Sequence, residues 1–181
     1  RESISHLQLT PSRLQLFMDH NESAQCLRQL RYLLVGGELF PDSLLQKVQT
    51  LIRVKLFNVY GPTETTVWSM CRYVEKGGRG NNIGQPLANT QVYILGSNGE
   101  VQPAGVFGEV CIGGDGVARG YLNNPELTSQ KFNRSYRSYK TYIFYKTGDL
   151  ARWLSDGSIE FLGRIDQQVK IRGYRIELGE I

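Results

Sequence analysis

The stretch from Thr10 to Phe57 constrains the fold most, because its apolar residues change period in a fixed order. Thr10-Pro11 has the form of a helix cap followed by proline at the first helical position. Leu14, Phe17 and Met18 then recur at helical spacing. Tyr32-Leu33-Leu34-Val35 is a short apolar run closed by Gly36-Gly37, the pattern of a buried strand. Pro41-Asp42 opens a second helix, with Leu44, Leu45, Val48, Leu51 and Ile52 on one face. Val54 to Phe57 is strand again. Strand, helix, strand predicts a parallel βαβ unit and an α/β class for this part of the chain.

From about Ile83 the pattern changes. Short apolar runs at 91–95, 108–112 and 141–146 are separated by glycine turns, and Ser97-Asn98-Gly99-Glu100 is a strong turn signal. Asn124-Pro125-Glu126 has the layout of a helix start. Residues 150–162 read as a hairpin around Ser155-Asp156-Gly157-Ser158, and 169–177 as one further alternating strand. This half is expected to form a small antiparallel sheet or barrel, so the whole chain reads as α+β. The first residue is not Met and the last four stop as a helix would begin, so the sequence is expected to be an internal piece of a longer chain.

Charge and cysteine content narrow the function classes. The net charge is +4, with 21 basic and 17 acidic residues spread along the 181 positions. The one dense stretch, 133–140, interleaves Arg134, Arg137 and Lys140 with tyrosines, but it is short and reads as a solvated loop, so no nucleic-acid partner is expected. No run approaches the roughly 20 apolar residues of a membrane-spanning helix, and no signal peptide is visible, so neither a membrane partner nor export is expected. Cys26, Cys71 and Cys111 lie far apart, which excludes a metal-binding cysteine pair. They read as small buried hydrophobes in a reducing, cytoplasmic setting.

Four blocks remain, and together with their spacers they cover essentially the whole chain. They are Gly36-Gly37-Glu38 with Asn58 through Trp68; Gly108 through Gly114 running on to Ala118-Arg119-Gly120-Tyr121-Leu122; Tyr145 through Trp153; and Gly163 through Glu177. In this order they resemble the motifs of the adenylation domain of nonribosomal peptide synthetases, within the superfamily of adenylate-forming, AMP-binding enzymes. The proline of Tyr60-Gly61-Pro62-Thr63-Glu64-Thr65, Asp166, and the run Val169 to Arg175 are similar to the peptide-synthetase branch. An acyl-CoA or aryl-acid ligase is the alternative within the superfamily. A non-catalytic adenylation-like binding domain and a purely structural α+β domain are the alternatives outside its chemistry.

The resemblance implies an enzyme: ATP and an amino acid give an aminoacyl adenylate and pyrophosphate, and the acyl group then passes to a phosphopantetheine thiol. Such a reaction needs two anions held in line rather than a side-chain nucleophile. It implies the second half of a large N-terminal subdomain, a βαβ layer plus a distorted antiparallel β-barrel, and the first strand of a small C-terminal subdomain. On that reading residues 1–82 belong to the α/β lobe, 83–165 to the barrel-like lobe, and 166–181 to the hinge and the start of the C-terminal part.

By the same resemblance, Asn58 and the backbone at Gly37 face adenine, and Tyr60 offers it a ring. Thr63 donates to the α-phosphate and Glu64 is the Mg2+ ligand. Asp149 accepts from the ribose hydroxyls, Phe161 packs against the sugar, and Arg164 contacts ribose or phosphate. Asp166 is the hinge, and Arg175 with Gly173 faces the active site or the pantetheine tunnel after rotation. Standing alone, Tyr60 would be a core aromatic, Gly61-Pro62 a turn and Thr63-Glu64 a helix cap. Phe161 is equally read as core. The second block is assigned no chemistry, its glycines setting turns and Arg119-Gly120-Tyr121 packing structurally.

The implied amino-acid pocket is Leu34, Gly36, Val59, Val67 and Trp68. All are uncharged, so the substrate side chain should be small or aliphatic. The bulk of Trp68 puts glycine slightly ahead of isoleucine and valine. The implied partners are the amino acid, a peptidyl carrier protein and neighbouring synthetase domains, and the implied cofactors are ATP/AMP, Mg2+ and phosphopantetheine on the carrier. No phosphate-binding loop and no C-terminal catalytic lysine match the sequence, and Lys170 lies in a different motif. The chain alone is therefore expected to be inactive.

Overall fold

The computed structural model describes residues 4–137, 140–166, 168–171 and 174–176. The chain divides into two units, one of Arg1–Val59, Cys71–Gly84 and Gln167–Ile181, the other of Tyr60–Met70 and Gln85–Asp166.

In the first unit, β1 (His6–Leu9), β2 (Tyr32–Gly36) and β3 (Lys55–Tyr60) are parallel neighbours, followed in strand order by β4 (Met70–Tyr73) and β5 (Asn82–Pro86). Helix α1 (Pro11–Asp19) starts as its sequence dictates, with the Thr10 side chain accepting from Arg13 N at 3.4 Å. Helix α3 (Asp42–Leu51) is the crossover between β2 and β3. Its Leu44, Leu45 and Val48 pack with Leu14 and Met18 of α1 against Leu33, Val35 and Leu56 of the sheet, forming one core. Burying each such side chain contributes about 1.5–3 kcal/mol. A further helix, α2 (Asn21–Leu27), has no strong pattern in the sequence, and only Leu27 and Leu30 near its end enter the core.

Register then sorts the strand residues by face. Leu34 pairs with Phe57 and Gly36 with Val59, so these four share one side of the sheet. Leu33, Val35 and Leu56 take the other side, under the helices. On the side opposite the helices a row of rings runs from His6 through Tyr32 and Phe57 to Tyr73, with centroids 4.6, 6.3 and 5.4 Å apart.

The second unit is antiparallel. β6 (Thr90–Leu95), β7 (Gly108–Gly114), β9 (Lys140–Trp153) and β10 (Ile159–Arg164) lie in the order β10-β9-β7-β6, and β8 (Phe132–Arg137) also pairs with β9. Helix α4 (Pro125–Lys131) begins where Asn124-Pro125 predicts, the Asn124 side chain accepting from Leu127 N at 3.0 Å.

Four expectations about the fold need correction. Residues 133–137 are not a loop but part of β8, in register with β9 from Phe132↔Tyr145 to Arg137↔Lys140. The apolar runs expected as separate strands on either side of Gly148 form one 14-residue strand. The single strand expected over 169–177 is an antiparallel pair, β11 (Val169–Ile171) and β12 (Tyr174–Ile176). Of the cysteines, only Cys111 is buried, whereas Cys71 is half-buried and Cys26 exposed. Burial, helped by the Glu109 charge, pushes the Cys111 thiol up to about 12, so it is a thiol and not a nucleophile at neutral pH.

Candidate functional site

Asp149 is where the second unit concentrates its polar chemistry. Two bulges put it there. Between the pairs Glu109↔Leu150 and Cys111↔Lys146, two steps along β7 face four along β9, so β9 bulges over Thr147, Gly148 and Asp149. A second irregularity between Phe161 and Gly163 brings Arg164 directly opposite Asp149. Gly148 makes the first bulge possible. Its φ is +73°, and a Cβ there would lie 2.6 Å from Asp166 Oδ2 and 2.8 Å from Arg164 Nη2. Thr147 Oγ1 donates to Val110 O at 2.8 Å and accepts from Asp149 N at 3.0 Å, which fixes the backbone on which the carboxylate stands.

The carboxylate itself is buried, at 6% exposure, and both its oxygens are engaged. The Tyr60 hydroxyl donates to Oδ2. Arg164 Nη1 donates to Oδ1 at 2.9 Å and also to Thr147 O at 2.9 Å. The rest of the guanidinium grips Asp166 in a fork, Nε to Oδ1 at 2.8 Å and Nη2 to Oδ2 at 2.5 Å. Burial opposes the charge on Arg164, but the carboxylates of Asp166 and Asp149 outweigh it and hold the guanidinium above its ordinary value. Burial, reinforced by the Asp149 charge, pushes the Tyr60 phenol well above its usual range, so it remains a donor. Phe161 stands 6.4 Å from the Tyr60 ring, tilted by 43°. Tyr60, Asp149, and Arg164 with Asp166, from three separate blocks, therefore form one cluster with Phe161, which lies between the last two of those blocks. The hydroxyl of Tyr60 had no assigned role in the sequence, and it is the atom that ties the first block to the third.

The loop after Tyr60 carries the second set. Thr63–Thr65 make one 3-10 turn, with Thr63 exposed and Glu64 buried at 7%. Thr66 and Val67 then take φ of +62° and +70°, unfavourable for β-branched residues. Trp68 N donates to Thr66 O at 2.9 Å, closing a γ-turn with a positive φ at its centre, the rare and strained form. The loop is returned to β3 by Ser69 N donating to Tyr60 O at 2.8 Å and is closed by the Thr65–Ser69 hydroxyl contact of 2.6 Å. Val67 is 51% exposed, so its side chain supplies little burial to offset the backbone. Val67→Gly is accordingly expected to leave the melting temperature unchanged or to raise it by a few degrees, by removing about 1 kcal/mol of strain. A calorimetric scan of both proteins checks this.

Glu64 and the second block turn out to be connected. Tyr121 Oη donates to Glu64 Oε1 at 2.7 Å, and Ala118 N donates to Glu64 O at 2.8 Å. The expectation that Arg119-Gly120-Tyr121 only packs is corrected for Tyr121, whose hydroxyl is on a site carboxylate. Among the described residues no group of three or more His, Cys, Asp and Glu is placed to hold a metal ion. Glu64 is one hard oxygen donor, suited to an ion that brings most of its ligands with it.

In the first unit, the C-terminal ends of β2 and β3 bring Gly36, Gly37, Asn58 and Val59 to one edge, where ligands bind parallel sheets. Leu34, Gly36 and Val59 share the face opposite the helices, where Gly36 and Val59 are buried and Leu34 is half-buried. Asn58 is 3% exposed and its Nδ2 donates to Gly80 O and Asn82 O, both at 2.9 Å. Its amide hydrogens thus tie β3 to Gly80 and to the first residue of β5. Arg175 pairs with Lys170 across β11 and β12, while its side chain and Gly173 lie outside the described residues.

Residues 1–122 match the family described as AMP-binding enzyme. The chain belongs to the AMP-binding enzymes. It is similar to stretches of much longer synthetases, with 54% identity over 155 residues to tyrocidine synthase 3 of Brevibacillus parabrevis, covering 84% of the chain and 2% of that protein. It shares 48% identity over 186 residues with surfactin synthase subunit 1 of Bacillus subtilis (strain 168), covering 100% and 5%. Among solved structures, an NRPS protein containing adenylation and PCP domains superposes with a TM-score of 0.87 at 32% identity, over 97% of this chain and 36% of that one. An artificially fused adenylation–PCP di-domain NRPS from Klebsiella oxytoca gives 0.86 at 25% identity, over 98% and 33%. This AMP-binding chain has the mixed α/β fold expected of it. Among its described residues no helix is long and apolar enough to cross a membrane.

Proposed function

We propose that this chain supplies one wall of an amino-acid-activating adenylation site, in which ATP and an amino acid give an aminoacyl adenylate and pyrophosphate. The observation that carries the reading is the Asp149 carboxylate, held from both sides by Tyr60 and Arg164 in a member of the AMP-binding family. A vicinal diol requires paired acceptor oxygens of fixed direction. A carboxylate oriented by a phenol and a guanidinium meets that requirement without reorganising when ligand arrives.

The proposed division of labour follows. Asp149 accepts from the ribose hydroxyls, Phe161 lies against the sugar, and the Tyr60 ring and Asn58 Oδ1 serve adenine with the backbone at Gly37. Thr63, exposed at the start of its turn, donates to the α-phosphate as the substrate carboxylate oxygen attacks phosphorus and the bond to pyrophosphate breaks. Glu64 would hold Mg2+, an ion that keeps waters and phosphate oxygens as ligands and needs only one or two carboxylates. When bound, the ion supplies neutralisation of the phosphate charge. Asp166, gripped by Arg164, is the proposed hinge between the large portion and the residues that follow, with Arg175 beyond it. Transfer of the acyl group to a phosphopantetheine thiol on a peptidyl carrier protein is the proposed second half.

Leu34, Gly36, Val59, Val67 and Trp68 are the part of the proposed pocket that this chain supplies; all are uncharged and offer no partner to an ionised substrate side chain, which supports a small or aliphatic one. Glycine is put first, with valine and isoleucine next. The chain spans 2 to 7% of the length of the curated synthetases it matches, so partners and product belong to this proposal too. The test is amino-acid-dependent exchange of labelled pyrophosphate into ATP by the full-length polypeptide bearing this sequence. Exchange highest with glycine, valine or isoleucine and at least tenfold lower with aspartate or lysine is the expected result. Exchange with no amino acid would remove the proposal.

A further inference from the structure

The loop that carries Thr63 and Glu64 is held from outside. Gly116 O accepts from Thr66 Oγ1 at 2.8 Å, Ala118 N donates to Glu64 O at 2.8 Å, and Tyr121 Oη donates to Glu64 Oε1 at 2.7 Å. The first two contacts fix the backbone of a turn whose next two residues have positive φ. The third acts on the carboxylate itself.

Tyr121 is well placed to set a direction. Its backbone N donates to Thr128 Oγ1 at 2.9 Å, and its ring meets Phe132 edge-on with centroids 5.4 Å apart. Its hydroxyl lies 3.4 Å from the hydroxyl of Tyr145, a residue only 1% exposed. A phenol has one proton to give. Tyr121 gives it to Glu64, which leaves its oxygen able to accept from Tyr145, whose hydroxyl also interacts with Glu64. The result is a pair of phenols about the Glu64 carboxylate, anchored by Tyr145 in the core.

We propose that Tyr121 is the positioning residue for the Glu64 carboxylate, fixing the direction in which it presents an oxygen to a phosphate-bound divalent cation. The inference rests on the adenylation reading. A carboxylate held at one oxygen loses the freedom to rotate away, so the loss of its tyrosine is felt in cation affinity rather than in amino-acid binding. Second contacts of this kind typically change metal affinity by tenfold or more.

The test uses Tyr121→Phe, which keeps the ring against Phe132 and removes only the hydroxyl, and Tyr145→Phe, which leaves Tyr121 intact. Binding of Mn2+ by the full-length polypeptide in the presence of a non-hydrolysable ATP analogue is titrated by electron paramagnetic resonance. The KM values for amino acid and for Mg2+ are measured beside it. The expected result for Tyr121→Phe is Mn2+ affinity lower by about tenfold, the KM for Mg2+ raised in proportion, and the KM for amino acid within twofold. Tyr145→Phe should move the same two quantities by about twofold to threefold, and it carries the test if Tyr121→Phe does not fold. Wild-type Mn2+ affinity in the variant that folds overturns the assignment, as does equal loss of nucleotide, metal and amino-acid affinity. A wild-type protein that binds no Mn2+ with the analogue overturns the adenylation reading itself, and the assignment with it.

Discussion

Asp149→Asn is expected to lower kcat/KM for ATP by about 10²–10³-fold while the protein remains folded. Two hydrogen bonds between ribose hydroxyls and a charged acceptor contribute about 1.5–3 kcal/mol each, about 10²–10⁴-fold together where 1.4 kcal/mol corresponds to tenfold, and the acceptor oxygen that Asn retains keeps the loss in the lower part of that range. The substitution is nearly isosteric. One Asn oxygen still accepts, but the amide nitrogen turns a second donor towards either Tyr60 or Arg164, both of which donate to the native carboxylate. Arg164 keeps its fork on Asp166, so its charge is not left alone in the interior. The expected stability loss is therefore modest, about 1–2 kcal/mol, and a melting scan together with steady-state kinetics separates the two effects. The amino-acid KM should stay within a few-fold, because the substitution acts on the proposed ribose contact and leaves the proposed pocket side chains unchanged.

Gly61→Ala should be the more damaging change to structure. A Cβ at position 61 would lie 2.5 Å from Val67 O and 2.7 Å from Ser69 N. Both are backbone atoms, and Ser69 N already donates to Tyr60 O at 2.8 Å. The loop cannot yield by turning a side chain. It must move as backbone, away from β3, carrying Thr63 and Glu64 with it. Overpacking of this kind costs about 2–3 kcal/mol, or roughly 5–10 °C in melting temperature for a chain of this size. A displacement of about 1 Å at a reacting group can cost a further 10²-fold in rate. Loss of activity with a clear drop in melting temperature is expected for Gly61→Ala, against loss of activity with little drop for Asp149→Asn. Equal melting temperatures for Gly61→Ala and wild type would show that the loop is more pliant than its contacts indicate.

The parts legible in the sequence were those set by local pattern. Thr10-Pro11 and Asn124-Pro125 start helices because a capping side chain and a proline act within one turn. Leu44, Leu45 and Val48 mark the buried face of α3 because helical period and burial coincide there. Long-range register was not legible. The pairing of Arg164 with Asp149 depends on bulges at 147–149 and near Leu162, and a bulge shifts every later partner without altering hydrophobic alternation. The Tyr121–Glu64 bond joins positions 57 apart in sequence, and nothing local distinguishes a hydroxyl that reaches a carboxylate from one that reaches water.

The γ-turn at Val67 runs against propensity outright. Thr65-Thr66-Val67 has the composition of a strand, but the return of Ser69 to Tyr60 and the hold of Gly116 on Thr66 override it. Such local conflict is expected where a loop is shaped for a ligand rather than for stability. It is also why the resemblance of the blocks could propose site residues while their mutual contacts had to come from the fold.

The account turns on Asp149 reading the ribose, and deoxynucleotides test that most directly. Wild-type polypeptide and Asp149→Asn are compared with ATP, 2′-deoxy-ATP and 3′-deoxy-ATP as substrates for pyrophosphate exchange, as a double-mutant cycle. The account predicts that wild type loses about tenfold or more in kcat/KM when either hydroxyl is removed, and that Asp149→Asn, whose single remaining oxygen accepts from only one hydroxyl, loses most of the discrimination against at least one of the two deoxynucleotides. Losses that simply multiply, with Asp149→Asn as selective for the intact diol as wild type, would contradict it.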